Sequence, residues 1–251
     1  MGRLMNGHER QPALVGGQSY VDAATGCRFT ALTPDGAPDT WQEYLAGAVD
    51  NYRKFGVQSA IDLDSVRDGR STSMFFAITS PAGELAGGVR VQGPYTSPAQ
   101  SHALTEWAGQ PGYQQIHEMV ASRLPEGVIE LKTAWVSDRV ASRSALTAAL
   151  SRTVIHALGL LDVRHAHATA AGYVLDRWST CGGVIADDVP AVPYPDDRYE
   201  TKLMWFDRLT YGELAKQDQV VHILRESAAL AEQGGVGRRY AAAHGRGATQ
   251  L

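Results

Sequence analysis

The stretch WVSDRVASRSALTAAL, residues 135–150, decides the fold. It begins at the end of VIELKTAWV, residues 128–136, an apolar run that reads as a buried strand. It ends inside a helix, because Leu146, Leu150, Val154 and Leu158 recur four residues apart and so share one stripe. A strand that turns this quickly into a helix needs a turn and a cap, and Ser142 or Ser144 supplies the cap. The loop also carries Arg139, Arg143, two hydroxyls and the free N–H groups of a helix start. Guanidiniums beside such N–H groups suit a phosphate or pyrophosphate. The plainer alternative is an ordinary cap with two solvent-facing arginines.

Downstream of that junction, GLLDVRHAHATA ends the helix at Gly159 and opens another strand, so a strand–helix–strand unit makes part of a sheet parallel. Upstream, TSMFFAITSPAGELAGGVRVQG is a hairpin around SPAGE, which makes another part antiparallel. Residues 27–32 read as a short strand. TWQEYLAGAVDNYRKFG is an amphipathic helix capped near Asp39 or Thr40. Further helices are expected at 113–123, over GYVLDRWSTCGG, and as one piece over 211–233, with a last strand in RYETKLMWFDR. The class is α/β: one mixed sheet with helices on both faces. Residues 1–26 read as a flexible N-terminal segment, 27–207 as the domain, 208–233 as a C-terminal helix and 234–251 as a flexible tail.

Of 251 residues, 44% are hydrophobic and the formal net charge is −4, so the chain can bury a full core and shows no basic stripe for nucleic acid. Cys27 and Cys181 are too few for a disulfide framework and are expected to be buried thiols. No apolar run reaches the roughly 20 residues of a membrane span, and the N-terminus has no signal-peptide core. A cytoplasmic protein is the expectation.

Several short motifs add a resemblance. Arg139-Val140-Ala141-Ser142-Arg143-Ser144 is similar to the Q/R-x-x-G-x-G/A pyrophosphate loop of GNAT N-acyltransferases, with serine at both glycine positions. NYRKFG with Arg53, IDLDSVRDG with Asp62 and Asp64, GGVRVQGP with Arg90 and IELKTAWV with Glu130 follow in the order seen in acyl-homoserine-lactone synthases and N-acyl amino acid synthases. The resemblance spans about residues 27–207. It implies a GNAT-like fold and transfer of an acyl group from an acyl-CoA or acyl-carrier-protein phosphopantetheine to the amine of an amino-acid-like acceptor. On ligand count, no metal is expected. Two departures stand out: Thr133 replaces an arginine of the synthases, and Trp178 replaces the tyrosine that usually protonates the departing thiolate.

The expected site follows from this. Arg139, Ser142, Arg143 and Ser144 hold the donor's phosphate, and the backbone around Trp135 and Val136 polarises the thioester carbonyl. Glu130 accepts a proton or orients the amine, with Arg90 as its partner, or else the two form a structural ion pair. Arg53, Asp62 and Asp64 bind the acceptor, or Asp62 and Asp64 belong to a solvated acidic loop. His165 and His167 share one side of a strand without the further ligands a metal needs. The alternatives are a conventional acetyl-CoA-dependent acetyltransferase and a non-catalytic acyl- or lipid-binding module.

Overall fold

A computed structural model describes residues 17–233 of the chain. The expectations for 1–16 and 234–251 therefore lie outside the described residues. In chain order the strands are β1 (Gln18–Val21), β2 (Arg28–Leu32), β3 (Met74–Thr79), β4 (Leu85–Gln92), β5 (Val128–Val136), β6 (His165–Ala171), β7 (Val184–Ile185) and β8 (Thr201–Asp207). The helices are α1 (Pro38–Arg53), α2 (Leu63–Val66), α3 (Ala103–Glu106), α4 (Tyr113–Arg123), α5 (Arg143–Leu160), α6 (Gly172–Ser179), α7 (Tyr211–Leu214) and α8 (Gln217–Gln233). The strands form one sheet in the order β1-β2-β3-β4-β5-β6-β8-β7. Every pairing is antiparallel except β5 with β6, which α5 joins by a crossover.

Both faces of the sheet are covered. On one face Met74, Phe76, Val89, Ile129, Leu131, Ala166 and Phe206 meet the stripe Leu146, Leu150, Val154 and Leu158 of α5. Each of those α5 side chains contributes on the order of 2 kcal/mol by leaving water. On the other face α1 packs Trp41, Tyr44 and Ala48 on Phe75, Ala77 and Trp135. Beside it, Trp107, with Ile116 and Val120 of α4, covers Val128, Leu203 and Trp205. Among the described residues no helix is long and apolar enough to cross a membrane. Cys27 and Cys181 are buried free thiols.

Three expectations needed correction. Gln18–Val21, expected to be flexible, is strand β1, paired from Gln18↔Ala31 to Val21↔Arg28. Four residues are too short a stretch to show a period, but their partner strand fixes them. Helix α1 starts earlier than its expected cap, because Pro38 stands in its first turn after Ala37 and its fixed φ suits a helix start. The 211–233 helix is two helices. Ala215 is extended between them, and the Lys216 N–H donates to the Thr180 carbonyl instead of continuing a helix.

Candidate functional site

The parallel ladder between β5 and β6 runs from Val128↔His165 to Leu131↔Ala168 and stops there. Strand β5 continues with β4 as far as Val136, while β6 continues with β8 as far as Ala171. The two strands therefore diverge, and a fork opens beyond Leu131. A bulge reinforces the divergence. Arg90 pairs with Lys132 and Gly88 with Trp135, so Thr133 and Ala134 together stand opposite Val89. Thr133 takes φ +55°, a left-handed backbone that β-branched residues avoid. Helix α1 holds this irregular segment. Tyr44 Oη donates to the Thr133 carbonyl at 2.6 Å, Asn51 Nδ2 to the Val136 carbonyl at 3.0 Å, and Tyr52 Oη approaches the Ala134 carbonyl at 3.5 Å. Burial pushes the Tyr52 hydroxyl pKa up to about 12, so it stays a donor.

A buried polar track crosses the sheet below the fork. Glu130, fully buried on β5, accepts from Tyr95 Oη (2.7 Å), the His102 backbone N–H (2.8 Å) and Ser101 Oγ (3.3 Å). Its Oε1 lies 3.7 Å from Lys132 Nζ. Lys132 donates to Glu106 of α3 and, at 3.1 Å, to Thr169 Oγ1 on β6, across the crotch of the fork. Glu106 also meets His102 Nδ1 at 3.0 Å. Burial works against the Glu106 charge, but Lys132 and the bonds from His102 and Lys132 outweigh it and hold the carboxyl at about 2. Burial likewise works against the Glu130 carboxylate, yet the positive and donating groups around it, Lys132 and Tyr95 among them, bring it below the ordinary range. Lys132 loses stability of its charge to burial and regains more from Glu106 and Glu130, so its pKa is raised. His167 is fully buried, and burial keeps its pKa low.

Above the fork, α5 begins at Arg143 with Ser142 as N-cap, and that side chain makes no capping hydrogen bond. Arg139, Ser142, Arg143 and Ser144 are all exposed, and among the described residues neither arginine has an ion-pair partner. Ser142, Arg143 and Ser144 thus stand at the start of α5, where the first backbone N–H groups have no partner within the helix, and Arg139 stands in the loop before it.

Other expected site residues are arranged differently. Arg90 does not pair with Glu130. Its Nε and Nη1 go to Thr133 Oγ1 and Thr72 Oγ1, both at 3.3 Å, because the register sets Gln92, not Arg90, opposite Glu130. Trp135 and Val136 turn their side chains into the core, Trp135 against Tyr44, so only their backbone is left for a ligand. Arg53 is exposed and pairs with Asp50 one helical turn back. Asp62 caps α2 through the Ser65 N–H, and Asp64 is an exposed first-turn residue of that helix. None of these three hydrogen-bonds to the buried track. His165 and His167 share a face but serve separate carboxylates, Glu126 at 3.1 Å and Glu130 at 3.8 Å. Trp178, at the tyrosine position, packs edge-on to Phe206 on the opposite face of the sheet.

Sequence reading passed over His102, Glu106, Ser101 and Tyr95. All lie in the long 94–112 connection, where His102 and Glu106 sit four residues apart. That i,i+4 spacing places two side chains together on one turn of helix and was the available signal.

No family model matches the chain. The protein Rv1356c of Mycobacterium tuberculosis (strain ATCC 25618 / H37Rv), itself uncharacterized, is 43% identical over 204 residues, covering 81% of this chain and 78% of that protein. Mb1391c of Mycobacterium bovis, also uncharacterized, matches with the same figures. Among solved structures, FeeM, an N-acyl amino acid synthase from uncultured soil microbes, superimposes with a TM-score of 0.54 at 13% identity, over 79% of this chain and 100% of that one. MesI, a CoA-dependent acyl-homoserine lactone synthase, gives 0.51 at 12% identity, over 78% and 92%. At these identities the likeness is one of fold, and the fold is that of GNAT-like N-acyltransferases.

Proposed function

This chain belongs to one family with the mycobacterial protein Rv1356c, and from its GNAT-like fold and the geometry of the fork we propose that it is an N-acyltransferase. It moves an acyl group from the thioester of coenzyme A or an acyl carrier protein to the amine of an amino-acid-like acceptor. The observation that carries the reading is the fork: β5 and β6 part after Leu131, a bulge sits at Thr133, and the uncapped start of α5 stands above with Arg139 and Arg143.

Each part answers a need of the reaction. A thioester must be held in line, and its carbonyl oxygen needs donors as negative charge develops. Arg139, Arg143 and the N–H groups at the start of α5 grip the donor's phosphate, with Ser142 and Ser144 beside them. The β5 edge from Lys132 to Val136 has lost its β6 partner and offers backbone N–H groups to the carbonyl. Glu130 acts at one remove, as an orienting group: it holds the His102 backbone, Tyr95 and the Lys132 charge in place. Arg90 is buried and bonded to hydroxyls alone, and a carboxylate on the acceptor is the group its charge suits.

The test is thiol release from a series of saturated acyl-CoA thioesters offered with the twenty amino acids, alongside mass spectrometry of lipid extracts from expressing cells. A new N-acylated species that needs the wild-type protein supports the reading. Saturable coenzyme A binding with no thiol release and no new species would replace it with the binding-module alternative. Arg139→Ala is expected to raise the KM for acyl-CoA about tenfold, equivalent to roughly 1.4 kcal/mol. As an exposed loop residue it should leave folding stability within about 0.5 kcal/mol of wild type. Unchanged donor affinity would remove its phosphate role.

A further inference from the structure

We infer that His102 is the proton acceptor of the acyl transfer, with Glu106 as the residue that positions it; this rests on the fork being the site of transfer. His102 is clamped at both ends by buried carboxylates. Its backbone N–H donates to Glu130 Oε2 at 2.8 Å, and its Nδ1 lies 3.0 Å from Glu106 Oε1. An ionised carboxylate only accepts, so the Nδ1 atom carries the hydrogen and Nε2 carries the lone pair. Among the described residues Nε2 has no hydrogen-bond partner, and 27% of the His102 side chain is exposed. The same Glu106 carboxylate takes Lys132, which reaches on to Thr169. Thr169 is the first β6 residue past the last parallel pair, Leu131↔Ala168. His102 is therefore coupled through two side chains to the crotch of the fork, with Tyr194 edge-on beside its ring at 6.5 Å.

The other ionisable groups of the track are unsuited to this step. Glu106 has no exposed side-chain surface and is tied up by two cations or donors. Glu130 is enclosed and accepts three hydrogen bonds. Lys132 is already protonated between two carboxylates, and His167 is fully buried. The partly exposed imidazole of His102, held by a buried carboxylate, is the basic lone pair of the track left open to a substrate.

The lone pair of the free amine attacks the thioester carbonyl carbon and forms the C–N bond. The C–S bond breaks with its electron pair going to sulfur. The proton released by nitrogen goes to His102 Nε2, and the imidazolium then gives it to the departing thiolate.

His102→Asn is the informative variant, because the Asn amide still donates to Glu106 from the Nδ1 position but has no basic lone pair at Nε2. With any acyl-CoA and amino acid pair that the wild type turns over, kcat is expected to fall about a hundredfold or more, with the acyl-CoA KM unchanged within about twofold. Added imidazole should restore part of the rate to His102→Gly. Nitrogen-15 NMR of the labelled protein at neutral pH should show His102 with hydrogen on Nδ1. A wild-type kcat in His102→Asn, or hydrogen on Nε2, overturns the inference while leaving acyl transfer intact. A wild type that binds coenzyme A and releases no thiol from any donor overturns acyl transfer, and this inference with it.

Discussion

Lys132 buries an ammonium between two carboxylates, and Glu106 is the closer. Its folded pKa of about 2 lies below the ordinary 4.5. A depressed carboxyl stabilises the fold above the unfolded pKa, and that stability is lost as pH falls through the folded one. The window is therefore about pH 4.5 down to 2, and the shift is worth on the order of 3 kcal/mol. Denaturant titrations across that range should show Glu106→Gln less stable than wild type by about this amount at neutral pH, with the gap closing toward pH 2. A gap that does not change with pH would mean that the carboxylate's charge contributes nothing. The partner of Glu130 shows where residue-level reading stops. A carboxylate in a strand plainly needed a partner, and Arg90 on the neighbouring hairpin strand was the visible cation. Register decides otherwise: Arg90 stands opposite Lys132 and Gln92 opposite Glu130, and Glu130 takes its donors from the 94–112 connection. A two-residue offset in a ladder leaves no mark on the amino-acid pattern.

At the scale of elements, α1 was legible as a helix from the spacing of Trp41, Tyr44, Leu45, Ala48, Tyr52 and Phe55, of which the first four are buried, Tyr52 is half-buried and Phe55, beyond the helix end, is exposed. Its second task was not legible. Tyr44, Asn51 and Tyr52 satisfy carbonyls of the diverging end of β5, more than eighty residues away, and no local pattern encodes such pairs. Gly47 sets how closely the two elements approach, since a Cβ there would be driven into the Trp135 ring. Gly47→Ala gains about 1 kcal/mol of helix propensity. Overpacking against a buried aromatic ring costs about 1–3 kcal/mol, so a net loss of about 1 kcal/mol is expected. Because α1 would be pushed off β5, the loss should come with lower kcat in the thiol-release assay. Thermal unfolding and kinetics together test this. A variant as stable and active as wild type would show that α1 does not hold the fork closely. Elements built from short stretches, β1, β7 and α3, escaped notice for the complementary reason: two to four residues show no period, and partners elsewhere in the chain specify them.

Across the whole molecule the two faces of the sheet do different work. The strand–helix–strand unit and the hairpin were readable because each is local, and together they imply a mixed sheet with helices on both faces. The closure of the α5 face rests on long-range charge instead. Arg152, 3% exposed on α5, reaches Asp22 beyond β1 at 2.6 Å, Glu226 of α8 at 2.6 Å and Gln219 at 3.1 Å. His156 joins the same Glu226 at 2.8 Å. One guanidinium thus ties the first strand, the central helix and the last helix, and it stands among the carboxylates that, with His222, could otherwise gather a metal ion. Arg152→Met keeps the apolar stem and removes the charge. Asp22 and Glu226 would then face each other, buried and without their cation, which typically costs about 3–5 kcal/mol. The expected result is a lower denaturant midpoint. Acyl-CoA KM should stay the same in the fraction that remains folded, because Arg152 lies about two and a half turns along α5 from the helix start that holds the donor's phosphate. An equal midpoint would mean that the apolar contacts of Ile223 and Leu230 hold α8 by themselves. A raised KM at unchanged stability would mean instead that the α5 network reaches through the helix to its N-terminus, where the donor's phosphate is held.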